Sequence, residues 1–559
     1  MSLAELRARL GGGRPLVGTG YTVARGTEPE PFHVEFLGVI DDGVLPGRDM
    51  IVVEASSPAI DRAGGIWAGM SGSPVYIDGK LVGAVAFSLS YGPSKVGGLT
   101  PAEDMMGVLQ RSSLGGGAPA HAPRRVPLGE RMVRRIVAAT GSTPSAVGGS
   151  LVRLRIPLSV SGLSQRGTRA MRHFLRTRNI AAIPFNGSTV STSDVGSGST
   201  LQAGGNFAAA LSYGDVTYAG IGTTTMVCNG VAIAFGHPFF WQGDTLMGAN
   251  AASAITVVDD PLFGPYKLAN VGEIVGTVDQ DRLAGIRARL DATPTTTPVR
   301  STVTSLDSNR TNAATTNIVW DEEVIHLALD HLYYAILVTQ DEFSQGSSKM
   351  SWTIRGRTES GKSWRLDRSN LYTSRWGIPY ETVDEFHWLM HRIEDNKFEP
   401  VEFSSIDATI DVQEAIRQYA IKDVRVSVAG GRFREAKRVK VRPGQLLRLR
   451  VTLGVFDGTA TVVRHLTARV PRGARRDGYL EVAGGRACTY RCPGRAKVES
   501  FGQLLAAEER QPHNNELFAY LTIGRGGSRV AADKATLDMV VTRGKVIELN
   551  VTGRARSQS

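Results

Sequence analysis

The length of the apolar runs constrains this chain most. In residues 14–110 they are strand-sized and are interrupted at short intervals by glycine, proline and aspartate. Val34–Ile40, Met50–Ala55, Val75–Ile77 and Leu81–Phe87 are the clearest of them. Apolar runs of about four to eight residues bounded by turn formers build sheets, whereas an amphipathic helix needs a longer stretch with a 3.6-residue period. Asp78-Gly79 separates the last two runs, and this dipeptide suits a two-residue hairpin turn whose central residues both take positive φ. Glycine supplies 64 of 559 residues while aromatics make up only 7%. The composition therefore favours many turns and short strands over long helical bundles, and the expected fold is mainly β with a few helices.

At roughly 100–200 residues per domain, the length suggests about three to five domains. Residues 14–110 form the first, and Thr100-Pro101-Ala102-Glu103 opens a helix there with a capping box and an early proline. A Ser, Gly, Ala and Pro-rich linker at 112–123 precedes a second segment over 125–290. A β-rich region with one helix, Tyr380–Ile393, follows over 300–400. Residues 401–559 alternate in the manner of a β-sandwich, with a turn at Arg442-Pro443-Gly444 and a late helix over Val498–Glu509. Residues 186–206, rich in Gly, Ser and Thr, read as a long loop.

Charge and cysteine narrow the class. Lysine plus arginine exceed the acids, 64 against 53. The arginines cluster at Arg124–Arg135, Arg432–Arg450 and Arg472–Arg476 without the run of interleaved aromatics that stacks nucleic-acid bases, so no nucleic acid is expected. An anionic envelope polymer is the partner such clusters would favour. Cys228 lies in an apolar stretch and reads as a small buried hydrophobe. Cys488 and Cys492 are spaced to close a small disulfide but are too few for a structural zinc site. The apolar run Val324–Val338 is interrupted by Asp330 and two histidines and is too short and polar to span a bilayer. MSLAELRARLGGG lacks the apolar core of a signal peptide.

The stretch richest in chemistry is Gly64-Gly65-Ile66-Trp67-Ala68-Gly69-Met70-Ser71-Gly72-Ser73-Pro74. A serine between glycines, directly before a strand and its hairpin, sits where the backbone is free to expose the hydroxyl. The amides of Gly69 and Ser71 are placed to share one oxyanion. Chymotrypsin-like proteases use this Gly-x-Ser-Gly-x-Pro design.

Gly69–Pro74 and the hairpin Val75–Val85 resemble the serine motif of the SpoIVB-type serine peptidases, a chymotrypsin-like family named from a stage IV sporulation protein. A second block is similar to the family's histidine segment: Gly214-Asp215, then Gly220-Ile221-Gly222-Thr223, then Ala234-Phe235-Gly236-His237. The resemblance covers roughly residues 15–110 and 200–290. It implies a chymotrypsin-like β-barrel peptidase unit; the C-terminal half lies outside it, and the β-sandwich-like domains expected there follow from its alternation and turns. It also implies an extracytoplasmic or cell-envelope setting, against the cytoplasmic reading of the N-terminus. Carried over, Ser71 is the nucleophile and His237 the general base that takes its proton.

Three departures stand out. In the family the histidine segment precedes the serine segment, and here it follows. The family reads Gly-His-Gly where this chain has Gly236-His237-Pro238. The family's acid lies fifteen residues before the serine, and that position here is Ser56. Asp61, Asp49 and Asp244 are the candidate substitutes, and a dyad without an acid stays open.

The remaining histidines suggest less. His33 gives a compact His33–Asp49–Ser71 order but reads as a strand residue. His387 and His391 have the i, i+4 spacing of a zinc pair without the glutamate of a zinc-protease motif, and His326 and His331 fall in an apolar run. Gly18-x-Gly20 lacks the third glycine of a dinucleotide fingerprint. Neither a metal nor a cofactor is expected. The sequence thus supports a serine endopeptidase acting on protein or peptide, with loop 186–206 a candidate for self-processing. The alternative is an inactive peptidase-fold scaffold binding proteins or anionic polymers.

Overall fold

The computed structural model describes residues 1–12, 14–90, 92–111, 122–162, 165–177, 180–187, 201–260, 264–485, 498–524 and 527–552. Most of linker 112–123, most of loop 186–206 and the Cys488–Cys492 pair lie outside these residues. The chain divides into two compact units. One comprises Met1–Pro298 with Thr315–Asp330; the other comprises Val299–Ala314 with His331–Ser559.

The first unit holds two closed barrels. Strands β1 (Leu16–Thr22), β2 (Glu30–Leu45), β3 (Arg48–Ser56), β4 (Pro74–Ile77), β5 (Lys80–Ser88) and β6 (Val96–Pro101) pair in the order β4-β1-β2-β3-β6-β5. A β4–β5 pairing closes the ring, so no free edge remains. Each expected apolar run became one of these strands. The β4–β5 turn is Asp78-Gly79, with φ of 48° and 75°. Inward side chains Phe32, Val34, Ile51, Val53, Val75, Val82 and Leu99 fill the barrel with Trp67 and Met70. Helix Leu3–Leu10 packs Leu6 into the same core with no exposed surface.

Strands β7 (Arg125–Pro127), β8 (Ser150–Arg153), β9 (Ile156–Val160) and β10 (Ala182–Asn186) form the connection between the barrels. β9 and β10 are parallel, with helix Gln165–Thr177 between them in sequence. The second ring comprises β11 (Asn206–Gly214), β12 (Tyr218–Cys228), β13 (Val231–Ala234), β14 (Gly243–Val258), β15 (Tyr266–Arg282) and β16 (Gly285–Arg289). They pair as β12-β13-β16-β15-β14-β11, and β12–β11 pairing closes the ring. Its core is built from small residues, Ala208, Ala210, Ala219, Ala252 and Ala269 among them. Ala84, Met105 and Val108 from the first half pack with Ile233 and Ala284 from the second.

The second unit is also β-rich. Thr297–Ser305, Val401–Gln413, Gly346–Thr358 and Ser363–Ser374 lie side by side, and helix Ile378–Glu394 packs on them. Beyond residue 415, two five-stranded sheets face each other across one core. Val424, Val426, Leu447, Leu449 and Val451 of one meet Leu480, Val482, Leu517, Ile547 and Leu549 of the other. This is the sandwich the alternation predicted, and the late helix is present as Phe501–Glu509. No helix of the described residues is long and apolar enough to cross a membrane.

Two local expectations need correction. Cys228 is exposed, because β12 ends there and the chain turns back through Asn229 and Gly230. Thr100 does not cap the helix that follows. Helix Ala102–Leu109 starts after Pro101 with no side-chain cap, and the Thr100 hydroxyl donates instead to Gly236 O at 2.5 Å. The hydroxyl is turned toward a tertiary carbonyl beside the histidine and away from the amides of the helix's first turn.

Candidate active site

Ser71 leaves the first barrel on the loop before β4. Gly69 and Gly72 flank it with φ of 100° and 95°, values that disfavour any side chain. At Gly72 the space is closed as well. A Cβ there would lie 2.0 Å from Thr223 O and 2.5 Å from Phe235 N. The loop is docked on the second barrel by several hydrogen bonds. Thr223 N–H donates to Ser71 O at 2.8 Å, Thr223 Oγ1 to Gly69 O at 2.9 Å, and Thr225 Oγ1 to Gly72 O at 2.8 Å. Lys267 N–H donates to Ala68 O at 2.9 Å. Among the described residues, neither the Gly69 nor the Ser71 amide donates to a protein acceptor. These two flanking amides are the pair the sequence put forward as oxyanion donors.

His237 comes from the second barrel, just past β13. Phe235 and Gly236 take successive left-handed conformations, φ 69° and 64°. A bulky residue there is rare, and its backbone costs on the order of 1–3 kcal/mol. The two residues end the strand and turn His237 toward the first barrel. Its Nε2 lies 2.9 Å from Ser71 Oγ, and both residues are 1% exposed. Nδ1 lies 2.9 Å from Pro238 O. A carbonyl only accepts, so Nδ1 carries the proton in the neutral ring and Nε2 is left to accept from the serine hydroxyl. The main-chain carbonyl at position 238, which any residue there would carry, thus supplies the acceptor that sets the tautomer. The Phe235 ring meets the imidazole edge-on at 5.9 Å. Burial, reinforced by the charge of Arg153, pushes the imidazole down to about 3, while the Pro238 carbonyl opposes the fall.

The structure brings Ser71 and His237 together but none of the three aspartates with them. Asp61 pairs with Lys95 at 2.6 Å, and Asp49 pairs with Arg7 at 2.7 Å. Asp244 pairs with Arg282 at 2.8 Å. Each carboxylate is held by its own cation, and the Nδ1 position they were expected to fill is taken by Pro238 O. Ser56, at the family's acid position, ends β3 opposite His33, and His33 is an exposed strand residue.

Two buried charges near the site escaped the sequence reading. Asp281, near the end of β15, has no exposed surface. Its carboxylate accepts from the backbone N–H groups of Phe239 at 2.8 Å, Phe240 at 2.5 Å and Trp241 at 2.7 Å. Burial raises its pKa to about 6, against the lowering effect of these amides. Lys267, at the start of β15, is likewise fully buried, and burial pulls it down to about 7. Its ammonium donates to Asn206 Oδ1 at 2.8 Å and to Thr223 Oγ1 at 3.5 Å, directly beneath the serine loop. Period-two alternation with Ala269 and Val271 marks Lys267 as inward, a signal present in the sequence.

His387 and His391 are one turn apart on helix Ile378–Glu394, with Nε2 atoms 3.1 Å apart. His331 Nε2 lies 2.9 Å from Ser301 Oγ in a buried pair.

Residues 18–106 match the family described as SpoIVB peptidase S55, as the serine block's resemblance implied. The matched segment contains the first barrel apart from the first two residues of β1, includes Ser71 and ends before His237. No curated protein and no solved structure matches this chain.

Proposed function

We propose that the chain is a serine endopeptidase that forms an acyl-enzyme on Ser71, with His237 as general base. The separation of 2.9 Å between Ser71 Oγ and His237 Nε2, across two barrels, carries the reading. It is the reach a base needs to take the hydroxyl proton. As Oγ attacks a peptide carbonyl, the proton moves to Nε2 and the carbonyl oxygen becomes an oxyanion. The Gly69 and Ser71 amides are assigned as donors to that charge. The imidazolium then returns the proton to the leaving amine, and water hydrolyses the acyl group by the same path. With both side chains 1% exposed, a peptide enters only after the two barrels or their covering loops part. Self-processing belongs to the same proposal, since a segment of the chain itself is a peptide substrate held at high effective concentration.

The second reading, an inactive scaffold, is supported by two observations: among the described residues no carboxylate contacts Nδ1, and burial disfavours the imidazolium. Incubating the purified chain and a Ser71→Ala variant with an unfolded protein substrate separates the two. Cleavage by the first and not the second supports the peptidase. Equal cleavage, or none by either, removes Ser71 from any hydrolytic role.

A further inference from the structure

The acid missing from the imidazole reappears one peptide bond away. Pro238 C=O, which accepts from His237 Nδ1, and Phe239 N–H, which donates to Asp281, belong to the same amide. In a planar trans peptide the two groups point in opposite directions. The order is therefore Asp281 carboxylate, Phe239 N–H, Pro238 C=O, His237 Nδ1–H, His237 Nε2, Ser71 Oγ. Two further amides, of Phe240 and Trp241, hold the same carboxylate and fix the segment that follows the histidine.

We infer that Asp281 is the acid of this site, acting on His237 through the Pro238–Phe239 peptide rather than by contact. The inference rests on the Ser71–His237 reading above. A buried carboxylate polarises the amide it binds, which makes the carbonyl at the other end a stronger acceptor. That holds the ring in the Nδ1–H tautomer and stabilises the imidazolium when the serine proton arrives. No proton leaves Nδ1. The proton on Nε2 comes from Ser71 Oγ as the Oγ–carbon bond forms, and Asp281 stays a carboxylate throughout. It is a positioning residue and touches neither substrate nor serine. The arrangement suits a buried site. A carboxylate in direct contact needs its remaining lone pairs satisfied, and here three backbone amides do so on the far side of the peptide.

The charged groups around the relay are few. Arg153 acts on the imidazole, Lys267 lies under the serine loop at the other end of β15, and the Arg282–Asp244 pair adjoins Asp281 along β15 and β14. None replaces the carboxylate on the Phe239 amide.

The test reads the ring and the serine separately in the full-length chain. Selective 15N-histidine labelling reports the His237 tautomer and its Nδ1–H proton. A fluorophosphonate reports Ser71 nucleophilicity. In Asp281→Asn, the His237 Nδ1–H signal should move upfield, and serine labelling should slow by about 10²-fold. Unchanged His237 signals and an unchanged labelling rate in a folded variant would make Asp281 a loop anchor only and overturn the inference. If the variant does not fold, the unmodified chain decides. Protonating Asp281 on lowering the pH through about 6 should shift the Nδ1–H signal while the imidazole, held near 3, stays neutral. A flat Nδ1–H signal from pH 8 to 5 would overturn it. No labelling in the wild type, with the pH-dependent Nδ1–H shift present, would sink the peptidase reading and leave the relay standing.

Discussion

The first barrel positions Ser71 through backbone shape alone, whereas the second adds buried charge to the backbone turn that aims His237. In the first, glycines at 69 and 72 bend the loop, the core is hydrocarbon, and its buried polar side chains are uncharged: Thr22, Ser71, Ser73, Ser88 and Thr100. In the second, Lys267 and Asp281 are charged side chains with no exposed surface. Backbone shape is insensitive to solution conditions. Buried titratable groups are not, because their charged forms depend on a few hydrogen bonds. Sensitivity to pH should therefore reside in the second barrel, although the nucleophile resides in the first.

The largest expected effect sharpens this contrast at the nucleophile. Ser71→Ala should lower turnover by about 10⁴–10⁶-fold with the melting temperature unchanged, measured by peptide hydrolysis alongside calorimetry. Gly72→Val comes next. Its side chain would occupy the space held by Thr223 O and Phe235 N, so the serine loop cannot stay docked. A loss of about 3–5 kcal/mol is expected, read as a drop in chemical-denaturation midpoint. A stable Gly72→Val would break the claim that backbone approach joins the two barrels.

Lys267→Met examines the charged half. Its folded pKa, about 7, lies below the usual 10.5. The unfolded chain therefore binds more protons between those values, and wild-type stability should rise with pH across that window. The full span corresponds to about 3–5 kcal/mol. The methionine variant should lose that slope, as shown by unfolding curves at pH 7 and 9.5. Equal slopes in both chains would place the pH response elsewhere. Thr100→Val removes the bond from the first barrel to Gly236 O and should cost about 1 kcal/mol. Kinetically, a larger change in kcat than in KM is expected. Smallest of all, Cys228→Ser should shift stability by less than about 0.5 kcal/mol, since the side chain is exposed.

The same contrast explains what was legible in the sequence. The first barrel announces itself because its strands, turns and glycines are local signals, and β4, Asp78-Gly79 and β5 follow one another directly. His237 was found through a resemblance and not through periodicity. The acid was missed because its partners are amides contributed by residues about forty positions earlier, and amides leave no mark in a sequence. Asp61, Asp49 and Asp244 were nearer in sequence or more familiar in spacing, yet each is held by a neighbouring cation. Thr100 shows the same limit at smaller scale. Its capping pattern is genuine, but a carbonyl 136 residues away takes the hydroxyl.

The enclosure of the Ser71–His237 pair has a kinetic consequence. A reagent that meets the serine only in opened molecules reports the product of an opening equilibrium and an intrinsic reaction rate. Where closing outpaces reaction, the observed rate scales with the fraction open, and about 1.4 kcal/mol of additional opening free energy slows it tenfold. Amide exchange at Ser71 and Gly69 measures that same opening without any chemistry at the hydroxyl. The ratio of the two rates would separate how reactive the serine is from how often it is seen by solvent.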